Sequence, residues 1–227
     1  MGDTMFYNED KTVTNRQLIP EDTVYNIDAV NGTVLRSWGA NMLSLPHSLT
    51  IGWDGSVWIT DCGLHQVFKF SRAGESLLTL GTAYQPGSSN KTFCRPTDVA
   101  VMPDGTVLIT DGYCNSRLLT LPPGDNGSNG LAVSNVFIDA AKTTPALVLH
   151  SVSVDACAGV AYLADRERGG VVVVNLREPA KSSALMKYWA GVATRFDLGV
   201  RSAGTCLIFK IPSATALKIS HKHSSVL

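Results

Sequence analysis

Apolar residues occur along this chain in short runs separated by polar turn residues, a pattern that indicates strands rather than helices. Leu49-Thr50-Ile51, for example, is followed by Asp54-Gly55 and then by the run that starts at Val57. Glycine adopts a positive φ at little cost, so an Asp-Gly pair between two apolar runs is typical of a β-hairpin. The pattern predicts an all-β protein.

The strand pattern repeats with a long period. Pro46, Asp54-Gly55 and Thr60-Asp61 are matched 50 positions later by the following residues: Pro96, Asp104-Gly105 and Thr110-Asp111. A third unit runs from Leu149-His150 to Asp165, roughly 54 positions further on. Units of about 40 to 50 residues with four short strands each are typical of β-propeller blades. A β-sandwich with chance similarity is the alternative, and the constant offset disfavours it.

The predicted blades do not complete a ring. Residues 22–28 and 33–38, with a turn at Asn31-Gly32, add a partial blade, which makes about three and a half in total. Propellers close with roughly four to eight blades, so we expect a partial propeller with open sheet edges. The repeat fades near Pro179. We therefore expect a propeller part over residues 1–178 and a divergent tail over 179–227, either disordered or a fraying blade.

Composition narrows the possible partners and compartment. Lys and Arg number 19, as do Asp and Glu, so no net charge favours nucleic acid. No apolar run approaches the roughly 18 residues of a membrane span, and no signal peptide is visible. Glycosylation sequons at Asn31, Asn90 and Asn126 all fall in predicted turns or loops. Together they favour a secretory-pathway or extracellular glycoprotein whose signal lies outside this chain.

Two histidines occupy equivalent places in the repeat. His47 opens the first unit and His150 opens the third, so a propeller would bring both imidazoles towards one axis. Imidazole is a common zinc ligand, which makes this pair a metal-site hypothesis. Strand-edge histidines that face solvent are the alternative. We interpret His65 as a structural turn residue, and His221 and His223 as solvated tail residues.

Several segments resemble the peptidyl-α-hydroxyglycine α-amidating lyases, the second catalytic domain of the peptide-amidating system. They are Leu45–Ile51, Trp58–Phe70, Gln85–Gly87, Phe93–Val101, Asp111–Arg117 and Ala164–Arg168. The resemblance covers roughly residues 2 to 178 and implies a six-bladed propeller of NHL-type repeats. It implies a zinc-dependent carbon–nitrogen lyase that cleaves peptidyl-α-hydroxyglycine to a peptide amide and glyoxylate. It also implies a role in neuropeptide processing, with a peptidylglycine hydroxylating monooxygenase as partner.

The resemblance assigns metal-binding roles to three residues. His47 and His150 match two zinc ligands of the family. Leu49 matches a position whose backbone carbonyl contributes to a structural calcium site, and carbonyl oxygens suit that hard cation.

Four further residues match the family's active site and its support. Tyr113 matches the general base, and Arg166 matches an active-site arginine. Cys94 and Cys114 match a disulfide that would hold the loop carrying Tyr113. From the residues alone, the alternatives are an aromatic packing residue, an exposed charge in a turn, and two reduced core cysteines.

The chain also departs from the family. The third zinc histidine belongs to a Met-Pro-His-Asp unit that does not occur in this sequence, and Met1 stands where a second essential arginine is expected. Tyr162 and Val173 replace the cysteines of a second disulfide. Catalytic zinc usually has three protein ligands, so we expect a chain truncated at both ends whose own activity is open. The alternative function is a non-catalytic NHL-propeller fragment that binds peptide or protein partners.

Overall fold

Four antiparallel sheets account for nearly all of the regular structure. The protein is described here by a computed structural model covering residues 16–135, 145–177 and 215–219. The first sheet contains β1 (Val24–Asp28) and β2 (Val34–Trp38), and the second contains β3 (Pro46–Ile51), β4 (Val57–Asp61), β5 (Gln66–Phe70) and β6 (Ser76–Leu80). The third contains β7 (Asp98–Val101), β8 (Val107–Asp111), β9 (Arg117–Leu121) and β10 (Ala132–Asn135), and the fourth contains β11 (Leu149–Asp155), β12 (Val160–Asp165) and β13 (Gly170–Asn175). One short helix, α1 (Gly112–Asn115), joins β8 to β9.

The sheets are arranged as propeller blades. Strand order follows chain order in the second, third and fourth sheets: β3-β4-β5-β6, β7-β8-β9-β10 and β11-β12-β13. The first strands of these three sheets, β3, β7 and β11, lie side by side. Within the described part of the chain the blades form an arc and not a closed ring. The predicted all-β, partial β-propeller fold is confirmed.

The two Asp-Gly turns form as the sequence predicts. Gly55 has a φ of 77° and Gly105 a φ of 90°, the left-handed region that glycine adopts without a steric cost. The preceding carboxylates accept hydrogen bonds from the backbone two residues on: Asp54 from Ser56 at 3.0 Å and Asp104 from Thr106 at 2.8 Å. These local contacts fix the hairpins and therefore the strand register.

The hydrophobic core lies between neighbouring blades. Trp38 and Ile59 belong to the cluster between the first and second sheets, and Trp58 and Ile109 to the one between the second and third. Leu118 and Leu163 belong to the cluster between the third and fourth sheets. The second strands, β4 and β8, are buried along their whole length. Each large apolar side chain removed from water contributes roughly 1.5–3 kcal/mol, so the blades are held together mainly through their faces.

The sequence pattern did not single out three elements: α1, β10 and one strand in the tail. In the segment 179–227, residues Thr215–Ile219 form β14, which pairs antiparallel with β1 and packs against β3. The other tail positions singled out above, including His221 and His223, lie outside the described residues. Among the described residues no helix is long and apolar enough to cross a bilayer.

Candidate active site

His47 sits at a β-bulge in the innermost strand of its blade. Pro46 is paired with Asp61, but Ser48 is paired with Thr60, so His47 is the extra residue between them. A bulge interrupts the ladder and re-aims the side chain of the extra residue. The imidazole of His47 therefore does not follow the alternation of side chains between the two faces of β3.

His150 sits at the same irregularity in its own blade. Leu149 is paired with Asp165 and Ser151 with Ala164, which leaves His150 as the extra residue of β11. The two histidines thus share a local backbone feature as well as a place in the repeat. Both imidazoles are half-buried.

A buried aspartate holds the segment in front of each histidine. Asp61 accepts hydrogen bonds from Ser44 at 2.7 Å and from Leu45 at 3.1 Å. Asp165 accepts one from Val148 at 3.3 Å. Burial raises the pKa of Asp61, while the backbone donors around it oppose that shift. The aspartates that end the repeat units therefore anchor the chain two residues before each histidine.

The two imidazoles converge on one hydroxyl group. Nε2 of His47 lies 3.0 Å from the hydroxyl oxygen of Tyr113, and Nε2 of His150 lies 3.3 Å from the same atom. The two imidazole ring centres are 4.8 Å apart. The first, second and third units therefore each contribute one side chain to a single point.

The tautomer of His47 follows from its other nitrogen. Nδ1 lies 2.7 Å from the carbonyl oxygen of Thr97, which can only accept. Nδ1 therefore carries the hydrogen, and the lone pair of Nε2 faces the centre of the site. This is the orientation that a zinc ligand requires, so the imidazole of His47 fits a metal-binding role. No cluster of three or more His, Cys, Asp or Glu side chains suited to a metal occurs among the described residues.

Arg166 brings a positive charge to the same hydroxyl. Its Nη1 donates to the Tyr113 oxygen at 3.2 Å, and its guanidinium carbon lies 5.0 Å from the centre of the tyrosine ring. Glu167 accepts from Nε at 2.9 Å and from Nη2 at 2.6 Å, and both side chains are more than a third exposed. A guanidinium at this distance favours negative charge on the tyrosine oxygen.

The helix that carries Tyr113 is fastened to the loop before β7. Cys94 and Cys114 form a disulfide with their Cα atoms 5.4 Å apart, as the resemblance implies. Asp111 accepts from the backbone of Cys94 at 2.8 Å and pairs with the guanidinium of Arg117 at 2.9 Å, and this ion pair is buried. Tyr113 is therefore held from both ends of α1.

The same helix rests against β11. A Cβ atom on Gly112 would lie 1.9 Å from the carbonyl oxygen of Leu149, so only glycine fits there. The Ser116 hydroxyl also donates to the carbonyl of Leu147. Tyr113 and His150 are thus positioned against each other through direct backbone contact.

Comparisons with known proteins identify a repeat family and several relatives of the chain. The NHL repeat family matches residues 43–70 and 93–120. The chain is 49% identical over 102 residues to "Peptidyl-alpha-hydroxyglycine alpha-amidating lyase 2" of Drosophila melanogaster, covering 44% of this chain and 25% of that protein. It is 42% identical over 159 residues to "Peptidyl-glycine alpha-amidating monooxygenase A" of Xenopus laevis, covering 67% and 16%. A third relative is the "Probable peptidyl-alpha-hydroxyglycine alpha-amidating lyase pgal-1" of Caenorhabditis elegans, with 35% identity over 162 residues, 71% of this chain and 44% of that protein.

The chain belongs to the peptidyl-α-hydroxyglycine α-amidating lyase family. It spans less than half the length of each of these three relatives. All four side chains to which the lyase resemblance assigns an active-site role meet in the structure: His47, Tyr113, His150 and Arg166.

The other predicted residues have no contact with the Tyr113 hydroxyl among the hydrogen bonds described for this site. Leu49 is paired with Ile59 in the second sheet, and a calcium role for its carbonyl stays a prediction. The sequon asparagines are exposed, and their glycosylation also stays a prediction: Asn31, Asn90 and Asn126. His65 is a fully buried turn residue with a φ of 57°, as predicted.

Sequence reasoning missed the residues that support this site. Thr97 and Gly112 were not singled out, and the aspartates were treated only as landmarks of the repeat. The repeat did contain a signal, because Thr97 stands 50 positions after His47, at the histidine place of the second unit. The close approach that demands glycine at position 112 had no local signal.

Proposed function

We propose that the chain is a zinc-dependent lyase that cleaves peptidyl-α-hydroxyglycine to a peptide amide and glyoxylate. The observation that carries the proposal is the meeting of two Nε2 atoms and a guanidinium at the hydroxyl of Tyr113. The names of the relatives supply the reaction class and the substrate. A peptidylglycine hydroxylating monooxygenase that makes this substrate is the proposed partner.

The imidazoles of His47 and His150 are the groups that would hold the metal. Zinc lowers the pKa of an oxygen that it contacts, so a hydroxyl group can lose its proton near neutral pH. The hydrogen bond from Nδ1 of His47 to the Thr97 carbonyl keeps the Nε2 lone pair available for this role.

Tyr113 is the proposed base. The substrate has one carbon that bears both a hydroxyl group and the amide nitrogen. Tyr113, as the phenolate, takes the hydroxyl proton; the C–O bond becomes the carbonyl of glyoxylate, and the C–N electron pair leaves on the amide nitrogen. The same proton then completes the peptide amide. The guanidinium of Arg166, 3.2 Å from the phenol oxygen, stabilises the charge that this cycle requires.

Arg166 is also suited to the substrate carboxylate. Its Nε and Nη2 atoms, which form the fork that pairs with carboxylates, are held by the exposed carboxylate of Glu167. The substrate's own carboxylate would exchange with Glu167 in water, where such a surface pair is worth little. The scissile carbon would then lie beside Tyr113.

The direct test is glyoxylate release from a synthetic peptidyl-α-hydroxyglycine, with added zinc or with a chelator. We expect turnover that the chelator abolishes and that is lost in His47→Ala. Tyr162→Phe, a change of a half-buried tyrosine on β12, serves as the matched control and is expected to leave turnover unchanged. Folded protein that releases no glyoxylate with zinc present would contradict the proposal.

A second candidate is a non-catalytic fragment that binds peptides. It is favoured by the presence of only two imidazoles at the site among the described residues, because catalytic zinc usually has three protein ligands. This candidate predicts peptide binding, measured by calorimetry, that does not change with zinc or with the Tyr113→Phe substitution.

A further inference from the structure

Thr97 lies between the two histidine-bearing strands. It occupies in the second unit the position that His47 occupies in the first, 50 residues earlier. Its side chain is fully buried. In the arc of innermost strands, β7 separates β3 from β11, so this residue is placed to contact both neighbours.

The backbone of Thr97 fixes the first histidine. Its carbonyl oxygen accepts from Nδ1 of His47 at 2.7 Å and from the hydroxyl of Thr60 at 3.1 Å. Because a carbonyl cannot donate, the hydrogen of the neutral His47 ring must be on Nδ1. The orientation of the His47 ring is therefore set by the backbone carbonyl of the residue directly before β7.

The side chain of Thr97 fixes the approach to the second histidine. Its hydroxyl oxygen lies 2.6 Å from the carbonyl of Leu149, and 2.8 Å from the hydroxyl of Thr110. A hydroxyl has one proton to donate, and the shorter distance assigns it to Leu149; the hydroxyl of Thr110 can then donate to Thr97. The Leu149 carbonyl belongs to the peptide bond that continues into His150, at the point where the bulge begins.

The Leu149 carbonyl also marks the contact with the helix that carries Tyr113. A Cβ on Gly112 would lie 1.9 Å from this oxygen and 2.9 Å from the Thr97 hydroxyl. The hydrogen bond from Thr97 to Leu149 therefore lies where the second unit, the third unit and α1 meet.

We propose that Thr97 is a positioning residue that sets the separation and orientation of the two imidazoles. Its carbonyl orients His47, and its hydroxyl holds the peptide bond before His150. The inference rests on the proposed function only in naming zinc as the metal. Removing a group that orients metal ligands typically weakens metal binding about 10–100-fold.

The test compares three single variants with the wild-type chain. Thr97→Val removes the hydroxyl and keeps the branched shape, whereas Thr97→Ser keeps the hydroxyl. Thr50→Val is the matched control, because Thr50 also donates from β3 to a backbone carbonyl of β7, that of Val99 at 2.7 Å, without touching either histidine segment. Two quantities are measured: the ¹⁵N imidazole NMR signals of the zinc-free protein and the dissociation constant for zinc.

We expect Thr97→Val to weaken zinc binding at least about tenfold and to shift the imidazole signals of His150. The His47 ring should keep its hydrogen on Nδ1, because the Thr97 carbonyl remains. Thr97→Ser should restore both properties, and Thr50→Val should leave both unchanged. If Thr97→Val does not fold, as judged by thermal melting, Thr97→Ala replaces it with the same expectations.

Two results would overturn the inference. One is a Thr97 variant without the hydroxyl that keeps the wild-type zinc affinity and His150 signals. The other is an equal change in Thr50→Val, which would mean that any contact between blades has this effect. A wild-type chain that binds no zinc would refute the lyase proposal, and the imidazole signals alone would then decide the role of Thr97.

Discussion

The second and third sheets begin from the same repeat but use one connection differently. After Asp61 the chain continues as Cys62-Gly63-Leu64-His65, whose Leu64 and His65 are buried. After Asp111 it continues as Gly112–Asn115, the helix α1, which presents a half-buried Tyr113 to the two histidines. The repeat therefore fixes where a connection lies along the chain. A few residues within the connection determine whether its side chains are buried in the core or face the two histidines.

The anchors of the two connections differ accordingly. Among the described hydrogen bonds, those to Asp61 come from backbone amides, whereas Asp111 also pairs with the side chain of Arg117. The neighbouring Cys114 is bonded to Cys94. The first connection contains a cysteine without a disulfide, Cys62, whose buried thiol lies 3.2 Å from the Pro96 carbonyl. The proposed role of Tyr113 as the base gives a reason for this extra restraint, because misplacement of a reacting group lowers the rate steeply.

Replacing the phenol hydroxyl should have the largest effect. In Tyr113→Phe we expect glyoxylate release to fall about 10²–10⁴-fold, the usual contribution of a positioned acid–base group. Stability should change little, because Tyr113 is only half-buried and its ring is kept. Steady-state assays with matched zinc content measure this. A rate within threefold of wild type would remove Tyr113 from the proposed chemistry.

Removing the disulfide should be next in size. The Cys94→Ala/Cys114→Ala variant opens a loop with a sequence separation of 20 residues, so we expect a loss of about 3 kcal/mol in the free energy of unfolding. Urea titration measures it. Cys62→Ala, in the connection without a disulfide, should cost clearly less. Equal losses in both variants would show that the disulfide adds no restraint.

A methyl group at position 112 should also be costly. The equivalent position of the first unit is Cys62, so a side chain is tolerated there, but in α1 it would meet the Leu149 carbonyl at 1.9 Å. We expect Gly112→Ala to lose about 1–3 kcal/mol through overpacking. Turnover should fall as well, because Tyr113 and His150 are pushed apart. Wild-type stability together with wild-type turnover would contradict the close approach.

The smallest expected effect is the change in stability when the aspartate of an Asp-Gly turn is replaced. Burial acts to raise the pKa of Asp54, but hydrogen bonds from Lys69 and Ser56 prevail and lower it to about 2. A lowered pKa stabilises the fold above the ordinary value of 3.8, and this contribution is lost as the pH falls towards 2. Asp54→Asn should therefore cost a few tenths of a kcal/mol at pH 7 and less near pH 2, as expected for an exposed ion pair.

Asp104 is the control for that measurement. Its place in the turn is the same, and its carboxylate accepts from Thr106 at 2.8 Å, but Leu119 stands where the other turn has Lys69. The pH dependence of Asp104→Asn should be weaker than that of Asp54→Asn in chemical denaturation from pH 2 to 7. A stronger dependence would mean that the Lys69 contact does not hold in solution.

The strands and the site residues differed in how well they could be predicted. Alternation, turn residues and the constant offset place nearly every strand because these signals are local, and β4 and β8 begin and end where the pattern does. The resemblance to the lyases pointed to His47, Tyr113, His150 and Arg166. The helix α1 escaped prediction because four residues carry too little periodicity to distinguish a helical turn from a loop.

By itself, the sequence determined the repeat, the all-β fold and the types of residue available for chemistry. Only the tertiary structure decided that the histidines are the extra residues of two bulges, that Thr97 hydrogen-bonds to both of their segments, and that Gly112 must lack a side chain. The physical reason is the separation along the chain between the residues that interact. Strand and turn preferences arise from neighbours along the chain, whereas a bulge or a forbidden Cβ depends on backbone atoms of another blade, dozens of residues away.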